Sequence, residues 1–252
     1  MGTDPTLGID NLASFVAATV GRPGQVRPVD GGLAVAATVA VANGYVNAAF
    51  RTDPAVDADA FLDGVTATFG EVGHPYVVWS LASDDELLAA CTRAGGAPDG
   101  ADTPAMVVSV PVPVTPGIDV RTVVDPADRP VFAQLCEDGY GMPGLAWLLD
   151  SQGCFDAPGA TWAIASADGV DLSVACSHAE GATGGIYYVA TPPEHRGRGA
   201  AAAVTAWLTN RLLDDGASMV TLQASDMGRP VYERLGFTVA GSFRRQAFAA
   251  PG

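Results

Sequence analysis

The hydrophobic pattern in the second half of the chain alternates short apolar runs with one long amphipathic stretch. Over about residues 199–215 apolar side chains recur at helical spacing, and Gly216 is placed to end the helix. Runs rich in β-branched and aromatic residues predict strands on either side of it, namely ATWAIAS, VDLSVACSH, GGIYYVAT and MVTLQAS. An earlier helical stretch, interrupted by GYGMPG, is predicted over about residues 131–150. Pro230 opens a short helix that Gly236 closes, and a last strand is predicted near residues 243–249.

The first half of the chain repeats this order in a weaker form. When Thr52 is aligned with Thr191, residues 50–60 align with residues 189–199, and Pro54 aligns with Pro193. After a gap of about one helical turn, PYVVWSLAS aligns with SMVTLQAS, and CTRAGG aligns with YERLGF. This common order predicts two related domains. The linker between them is predicted at residues 110–117, because their alternating prolines do not suit a central strand.

The charge balance excludes a general nucleic-acid-binding role. The chain has 252 residues, with 28 acidic residues against 13 arginines and no lysine, and a formal net charge of −15. Such a surface repels phosphate backbones, so any anion site has to be local. The four cysteines lie far apart without C-x-x-C pairing, which favours reduced, mostly buried thiols and a cytoplasmic location. The three histidines are too scattered to form a metal site with them, and we predict no metal.

Neither the start of the chain nor its longest uncharged segment predicts a role at a membrane. The N-terminal residues lack the basic and apolar regions of a signal peptide. Residues 31–50 carry no charge and are long enough in principle to span a bilayer. Their Asn43-Gly44 pair predicts instead a hairpin turn between two strands of a soluble core.

A local cluster of arginine and glycine stands directly ahead of the long predicted helix, in the sequence PEHRGRGAAAAV. A strand, an Arg-Gly-Arg-Gly loop and a helix in this order are typical of an anion site. The N–H groups at a helix start carry partial positive charge, and glycine lets a ligand approach the backbone. The alternative is a flexible surface loop whose arginines pair with Glu194 or nearby aspartates. A nucleotide P-loop is excluded, because GxxxxGK[ST] is absent.

The residues around this cluster resemble the acetyl-CoA-binding motif of the GCN5-related N-acetyltransferases (GNATs). That motif is R/Q-x-x-G-x-G/A, and here it begins at Arg196 and ends at Ala201. Downstream, Tyr232 stands four residues before Gly236-Phe237, as in the late helix of the family. The likeness covers about residues 118–248, and the first half is similar only as a degenerate copy. There Asp57 and Asp59 stand at the positions of Arg196 and Arg198.

The resemblance implies an α/β fold of two tandem GNAT-like domains. Each would have a central mixed, mostly antiparallel sheet flanked by helices. Residues 1–115 would form a degenerate domain without the cofactor motif, and residues 118–252 the catalytic domain that binds acetyl-CoA. The function implied is an N-acetyltransferase that moves an acetyl group from acetyl-CoA directly to a small-molecule amine, as a monomer or homodimer.

The resemblance also implies roles for particular residues. The pantetheine arm would bind the backbone of Val189, Ala190 and Thr191. The pyrophosphate would lie beside Arg196 on the N–H groups of Gly197, Arg198, Gly199, Ala200, Ala201 and Ala202. Tyr232 would protonate the departing CoA thiolate, because a phenol stays protonated at neutral pH. Ser225 stands where many relatives have an asparagine that helps to hold the cofactor.

The acceptor side is less defined. Removal of the amine proton needs a base or water, and the residues in the corresponding region are Glu137, Asp138, Tyr140, Glu180 and Tyr187, with His178 as a strand-end residue. The acidic composition favours a cationic acceptor.

Two alternatives to this function remain open. One is a non-catalytic CoA-binding or sensing module; the other is a GNAT-fold enzyme that uses another acyl-CoA, by longer acyl transfer or malonyl-CoA decarboxylation. The alanine-rich, lysine-free composition is typical of a high-GC bacterium.

Overall fold

The computed structural model describes residues 6–20 and 24–252 and divides the chain into two compact units. The first unit extends to Ala105 and takes in Ala240–Gly252, and the second is Met106–Val239. The described residues form seven α-helices: α1 Thr6–Val20, α2 Ala58–Val72, α3 Asp85–Arg93, α4 Asp128–Tyr140, α5 Leu145–Ser151, α6 Ala200–Asp214 and α7 Arg229–Arg234. They also form twelve strands: β1 Gln25–Val29, β2 Gly32–Ala36, β3 Ala48–Arg51, β4 Tyr76–Leu81, β5 Ala97–Pro98, β6 Thr103–Val108, β7 Asp119–Thr122, β8 Ala160–Ala167, β9 Val170–Glu180, β10 Thr183–Ala190, β11 Met219–Gln223 and β12 Thr238–Phe248.

The division of the chain differs from the predicted boundary between residues 115 and 118. It falls between Ala105 and Met106, within β6, and the last 13 residues, Ala240–Gly252, belong to the first unit. The physical reason is strand pairing, because Phe243–Phe248 of β12 pair antiparallel with β4. Residues 110–117 lie outside every strand, as their prolines predict.

The sheet of the first unit runs in the order β1-β2-β3-β4-β12. Neighbouring strands are antiparallel except for β3 and β4, which are parallel and are connected through α2. Helix α2 buries Phe61, Val65 and Phe69 in a core that also contains Tyr76 and Phe248. The ring of Tyr76 stacks on Phe69 and on Phe248, with centroids 4.4 and 4.8 Å apart. These aromatic contacts fix the last strand of the chain within the first unit.

The sheet of the second unit includes the run β11-β10-β9-β8-β7. Only β10 and β11 in this run are parallel, and α6 connects them. The apolar face of α6, with Val204, Leu208 and Leu212, packs in one core with Ile186 and Leu222 of these strands. The predicted mixed sheet with packed helices is therefore confirmed, and the start and end of α6 lie within one residue of the prediction.

The connection between β2 and β3 is longer than the hairpin turn predicted at Asn43-Gly44. The two strands do pair antiparallel, but residues 37–47 join them. The Asn47 side chain accepts a hydrogen bond from the Ala37 N–H (2.9 Å) and donates to the carbonyls of Val39 and Val41 (2.8 Å each). This side chain provides the internal bonds that a longer connection needs. Among the helices of the described ranges, none combines the length and apolar character needed to cross a bilayer.

We expect Asn210→Ala to destabilise the second unit. The Asn210 side chain accepts from the Val112 N–H (2.8 Å) and donates to the Val112 carbonyl (3.0 Å), which holds residues 110–117 against α6. Loss of both bonds leaves two groups of a buried residue unpaired, and we expect the free energy of unfolding to fall by about 1–3 kcal/mol in urea denaturation. Asp214→Ala, an exposed position on the same helix, is the control and is expected to change stability by less than about 0.5 kcal/mol. Equal effects would contradict this assignment.

Candidate functional site

The start of α6 leaves a row of backbone N–H groups open. Gly199 is the N-cap residue with φ 82°, and no side chain caps the helix. The first helical hydrogen bond runs from the Ala203 N–H to the Gly199 carbonyl (3.0 Å). Within the described part of the chain, the N–H groups of residues 197–202 donate to no other group. Gly197 also has a positive φ, 77°, a conformation that glycine adopts without strain. The geometry is that of an anion-binding helix start.

The two arginines of the loop differ in what they contact. The guanidinium of Arg196 donates to the Thr191 carbonyl from Nε (3.2 Å) and to the Gly139 carbonyl from an Nη atom (3.1 Å). Arg196 therefore connects the loop to the end of β10 and to the last turn of α4. Arg198 is exposed and forms no hydrogen bond or ion pair with the described residues. The predicted alternative, in which both arginines pair with local acids, is not what the structure shows.

Strands β10 and β11 stop pairing before β10 ends. Their last paired residues are Ile186 and Leu222, whereas β10 continues to Ala190. On its other side, the register with β9 shifts between Tyr187 and Ala190, and Tyr188 has φ 52°. This bulge changes the direction of the end of β10. The split leaves the predicted pantetheine-binding segment, with Val189, beyond the part of β10 that pairs with β11, while Ala190 still pairs with Val174 of β9.

The end of β10 is held by hydrogen bonds from Ser173 of β9 and by a close approach of Gly139 of α4. Ser173 Oγ donates to the Ala190 carbonyl (2.9 Å) and lies 2.8 Å from Thr191 Oγ1. A Cβ atom on Gly139 would come within 2.8 Å of the Thr191 nitrogen and 2.9 Å of the Ala190 Cβ, so only glycine fits there. The carbonyls of Ala190 and Thr191 thus already accept bonds from the chain itself.

Tyr232 lies in the same core cluster as the start of α6. It is 6% exposed, and the cluster contains Ala200 and, at its margin, Val189. Its ring meets Phe237 edge-on at 6.1 Å between centroids. Ser225 Oγ accepts from the Gly228 N–H (3.1 Å), which shapes the turn before α7. The hydroxyl of Ser225 keeps its own proton for donation to another group.

The structure gives several of the predicted proton acceptors other contacts. Glu137 Oε2 accepts from the N–H groups of Gly144 and Ala146 (3.0 Å each), so this carboxylate caps the start of α5. Asp138 accepts from Gln134 (2.9 Å) and is exposed. Tyr140 and Glu180 are exposed, and Tyr187 is buried. Burial lowers the pKa of His178, which makes it a weak base.

The cysteines take no part in the site. All four are buried and unpaired, and burial raises the pKa of the Cys91 and Cys154 thiols to about 12. Cys91 stands at the position that the repeat aligns with Tyr232. Within residues 6–20 and 24–252, no group of three or more His, Cys, Asp or Glu side chains could hold a metal ion.

The roles of three residues near the candidate site were not predicted from the sequence. Gly139 and Ser173 hold the end of β10, and nothing in their sequence context indicates this. Gln223 directly follows the last paired residue of β11, and its Nε2 is buried without a hydrogen-bond partner in the described chain. A polar residue in the apolar run MVTLQ was the only available signal.

Comparison with known proteins agrees with this geometry. Residues 162–240 match the family model described as "Acetyltransferase (GNAT) domain". This segment contains β10, the arginine loop, α6, β11 and α7. This part of the chain is therefore similar to a GNAT acetyltransferase domain, and the resemblance predicted from its motifs is confirmed for these residues. No curated protein matches the chain in sequence.

Two solved structures share the fold across almost the whole chain, and a third shares it over part of the chain. A GCN5-related N-acetyltransferase from Kribbella flavida is 17% identical, with a TM-score of 0.72 and coverage of 96% of this chain and 95% of that one. A tandem GNAT protein from the clavulanic acid biosynthesis pathway is 13% identical, with a TM-score of 0.62 and coverage of 98% and 96%. A GCN5-related N-acetyltransferase from Sphaerobacter thermophilus is 22% identical, with a TM-score of 0.54 and coverage of 71% and 61%. At these identities the likeness is one of fold.

We expect Gly139→Ala to destabilise the site region, because the added methyl group would meet the Thr191 nitrogen at 2.8 Å. Such overpacking costs about 1–3 kcal/mol, measurable as a lower free energy of unfolding in urea. Gly70→Ala in α2 is the matched control, since its nearest neighbour would be the Pro251 Cβ at 3.9 Å. There alanine is expected to raise stability by about 0.5–1 kcal/mol through helix propensity. Stabilisation by both substitutions would contradict the close approach of α4 to β10.

Proposed function

We propose that the protein is an acetyl-CoA-dependent N-acetyltransferase that transfers the acetyl group directly to a small-molecule amine. The observation that carries the proposal is the uncapped start of α6, where residues 197–202 present open N–H groups within the segment that matches the GNAT family model. A diphosphate provides acceptors for these donors and has the charge that a helix N-terminus stabilises. Arg198, exposed and without a partner in the described residues, adds a positive charge at the same place.

The corresponding helix of the first unit, α2, supports the proposal that the two units differ in their ability to bind the cofactor. Asp57 is the N-cap of α2, and its carboxylate accepts from the Ala60 N–H (3.0 Å). Asp59, two residues further on in the first turn of the same helix, pairs with Arg93 at 2.8 Å. At this helix start the carboxylate of Asp57 accepts from the backbone where a phosphate would have to bind. We infer that the cofactor binds only in the second unit.

The order of elements supports the proposal that the units are tandem copies. The first unit has three antiparallel strands, a helix, a parallel strand and a short helix, in the order β1, β2, β3, α2, β4, α3. The second has the equivalent order β8, β9, β10, α6, β11, α7. A solved structure with the same fold is described as a tandem GNAT protein. The first unit is then the degenerate copy.

The chemistry assigned to the chain's own residues is limited. Acetyl-CoA supplies a thioester, whose C–S bond breaks as the C–N bond to the amine forms. Tyr232 donates its phenolic proton to the departing sulfur and is reprotonated from solvent. The amine must arrive neutral, and we assign its proton to water, because Glu137 is committed to the start of α5 and burial makes His178 a weak base.

Arg198→Glu is expected to weaken acetyl-CoA binding strongly in isothermal titration calorimetry. The substitution replaces a positive by a negative charge beside the diphosphate and leaves the Arg196 contacts intact, so a loss of about tenfold or more is expected. The control is Arg211→Glu, at the opposite end of α6, where affinity should stay within about twofold of the wild type. Equal affinity of the wild type and Arg198→Glu would reject a diphosphate site at the start of α6.

Tyr232→Phe separates proton donation from packing, because phenylalanine keeps the buried ring. We expect acetyl-CoA affinity to be unchanged and kcat, measured as free-thiol release with an amine panel, to fall about 100-fold. Tyr76→Phe, at a buried tyrosine of the first unit that lies outside the segment matching the GNAT family model, is the control and should keep full kcat. A wild-type protein that binds acetyl-CoA without releasing thiol in any amine mixture would instead support a CoA-binding module.

A further inference from the structure

The side chain of Tyr188 leaves strand β10 in an unusual direction. The φ angle of Tyr188, 52°, lies in the left-handed region, which a bulky residue seldom adopts. Tyr188 lies in the stretch where the register with β9 shifts, between Tyr187 and Ala190. Backbone strain of this kind is concentrated at functional sites, and a bulge changes the direction of a side chain. The proposed acetyl transfer has so far given this side chain no role.

The bulge brings two consecutive tyrosines to one face of the sheet. Tyr187 pairs with Cys176, and Cys176 pairs with Trp162, so these three side chains share a face. The ring of Tyr188 stacks on the ring of Trp162, with centroids 5.9 Å apart and an angle of 25° between the planes. In a regular strand the side chains of residues 187 and 188 would point to opposite faces. The bulge therefore adds a second aromatic ring to this face.

This face of the sheet is the one on which α4 packs. The ring of Phe132, on α4, meets the ring of Trp162 edge-on at 5.1 Å between centroids. Side chains that point to the opposite face, such as Ala163 and Ile186, belong to the core that contains α6. A molecule bound against Tyr188 would therefore lie on the α4 side of the sheet.

Tyr188 is accessible and lies directly beside the predicted pantetheine-binding segment. Trp162 is buried, whereas Tyr188 is half-buried, so a ligand can reach it without unfolding the strand. Val189 is the next residue, and its Cα is about 3.8 Å from the Cα of Tyr188. A small molecule on the Tyr188 ring would thus be near a thioester held at the end of β10.

The segment that follows Gly139 adds apolar surface beside the same strand end. A Cβ atom on Gly139 would come within 2.8 Å of the Thr191 nitrogen, so the end of α4 lies against the end of β10. Within residues 140–147, Tyr140, Met142 and Trp147 are 46%, 44% and 63% exposed. Single exposed apolar residues are usual, but several in one short segment are typical of a binding surface.

Two carboxylates near these rings already have partners. Glu137 accepts from the N–H groups at the start of α5, and Asp156 pairs with Arg129. The Arg129 guanidinium lies over the ring of Phe155, 5.8 Å from its centroid, and Phe155 meets Trp162 at 5.0 Å between centroids. An acceptor with several positive charges would find these two carboxylates occupied, whereas an aromatic acceptor would find rings to stack on.

We propose that the acceptor is a primary amine with an aromatic body, which stacks on Tyr188 from the α4 side of the sheet. The inference rests on the proposed acetyl transfer and names the class of its second substrate, an arylalkylamine. The ring of Tyr188 positions the amine beside the thioester at Val189, and the exposed apolar side chains of residues 140–147 contact the rest of the aromatic body. Tyr188 binds the substrate and transfers no proton.

The test titrates 2-phenylethylamine by calorimetry into the full chain saturated with coenzyme A, so that binding is measured without turnover. We expect saturable binding at one site, and glucosamine, a polar amine, should bind at least about tenfold more weakly. Tyr188→Leu, which keeps an apolar side chain and loses the ring, should weaken the binding of 2-phenylethylamine at least about fivefold. Tyr188→Phe, which restores the ring, should bind it within about twofold of the wild type.

The matched control is Trp207→Leu, because Trp207 is a half-buried aromatic residue of α6, on the other side of the sheet. It should bind 2-phenylethylamine like the wild type. Thiol release from acetyl-CoA gives a second measurement, in which Tyr188→Leu should raise KM for 2-phenylethylamine at least about fivefold and leave kcat within about twofold. Circular dichroism checks that each variant is folded, and the comparison of the two amines in the wild type needs no variant.

Titrations of 2-phenylethylamine that do not saturate, equal binding of glucosamine, or wild-type affinity in Tyr188→Leu would overturn the inference. A protein that releases thiol with glucosamine and not with 2-phenylethylamine would also overturn it, although acetyl transfer itself would stand. Saturable binding that depends on Tyr188, without thiol release, would support the amine site and count against acetyl transfer instead.

Discussion

The first N–H groups of a helix have no partners within the helix, and they need acceptors from a side chain, from solvent or from a ligand. This chain has two crossover helices, α2 and α6, each of which connects a pair of parallel strands. Their starts meet this requirement in opposite ways. Helix α2 begins on Asp57, whose carboxylate accepts from the backbone. Helix α6 begins on Gly199, with no side-chain cap and a glycine-rich loop before it. The two helix starts thus differ in whether a side chain of the protein supplies an acceptor.

The surroundings of α6 keep its open start in a fixed position. Arg196 joins the loop to the carbonyls of Thr191 and Gly139, and Ser173 holds the end of β10 from the other side. Glu137, two residues before Gly139, caps α5. The arginine loop before α6 and the α4–α5 region are thus connected by hydrogen bonds and by a close backbone approach. A pre-organised site of this kind loses less conformational entropy when a ligand binds.

Local features were predictable from the sequence. The period of apolar residues placed α6, and the glycines and prolines around it fixed its ends and those of α7, because turn and cap chemistry are short-range. Non-local features were not predictable. The pairing of β12 with β4 joins segments far apart in the chain, so a linear repeat could not show that residues 240–252 belong to the first unit.

The candidate site likewise has features that could be predicted from the sequence and features that could not. Its backbone donors followed from Gly197, Gly199 and the helix start. The contacts of Arg196 and Glu137 did not, because a charged side chain has many reachable partners and the sequence does not indicate which carbonyl or N–H it meets. The roles of Gly139 and Asn47 likewise depend on packing that only the folded chain defines.

The most direct test is an NMR titration of the ¹⁵N-labelled protein with coenzyme A, following the backbone amides at the starts of both crossover helices. If coenzyme A binds at the open start of α6, we expect large shifts for the amides of residues 197–202 and none for those of residues 58–61, which Asp57 caps. Shifts confined to other residues, or equal shifts at the two helix starts, would contradict this binding site.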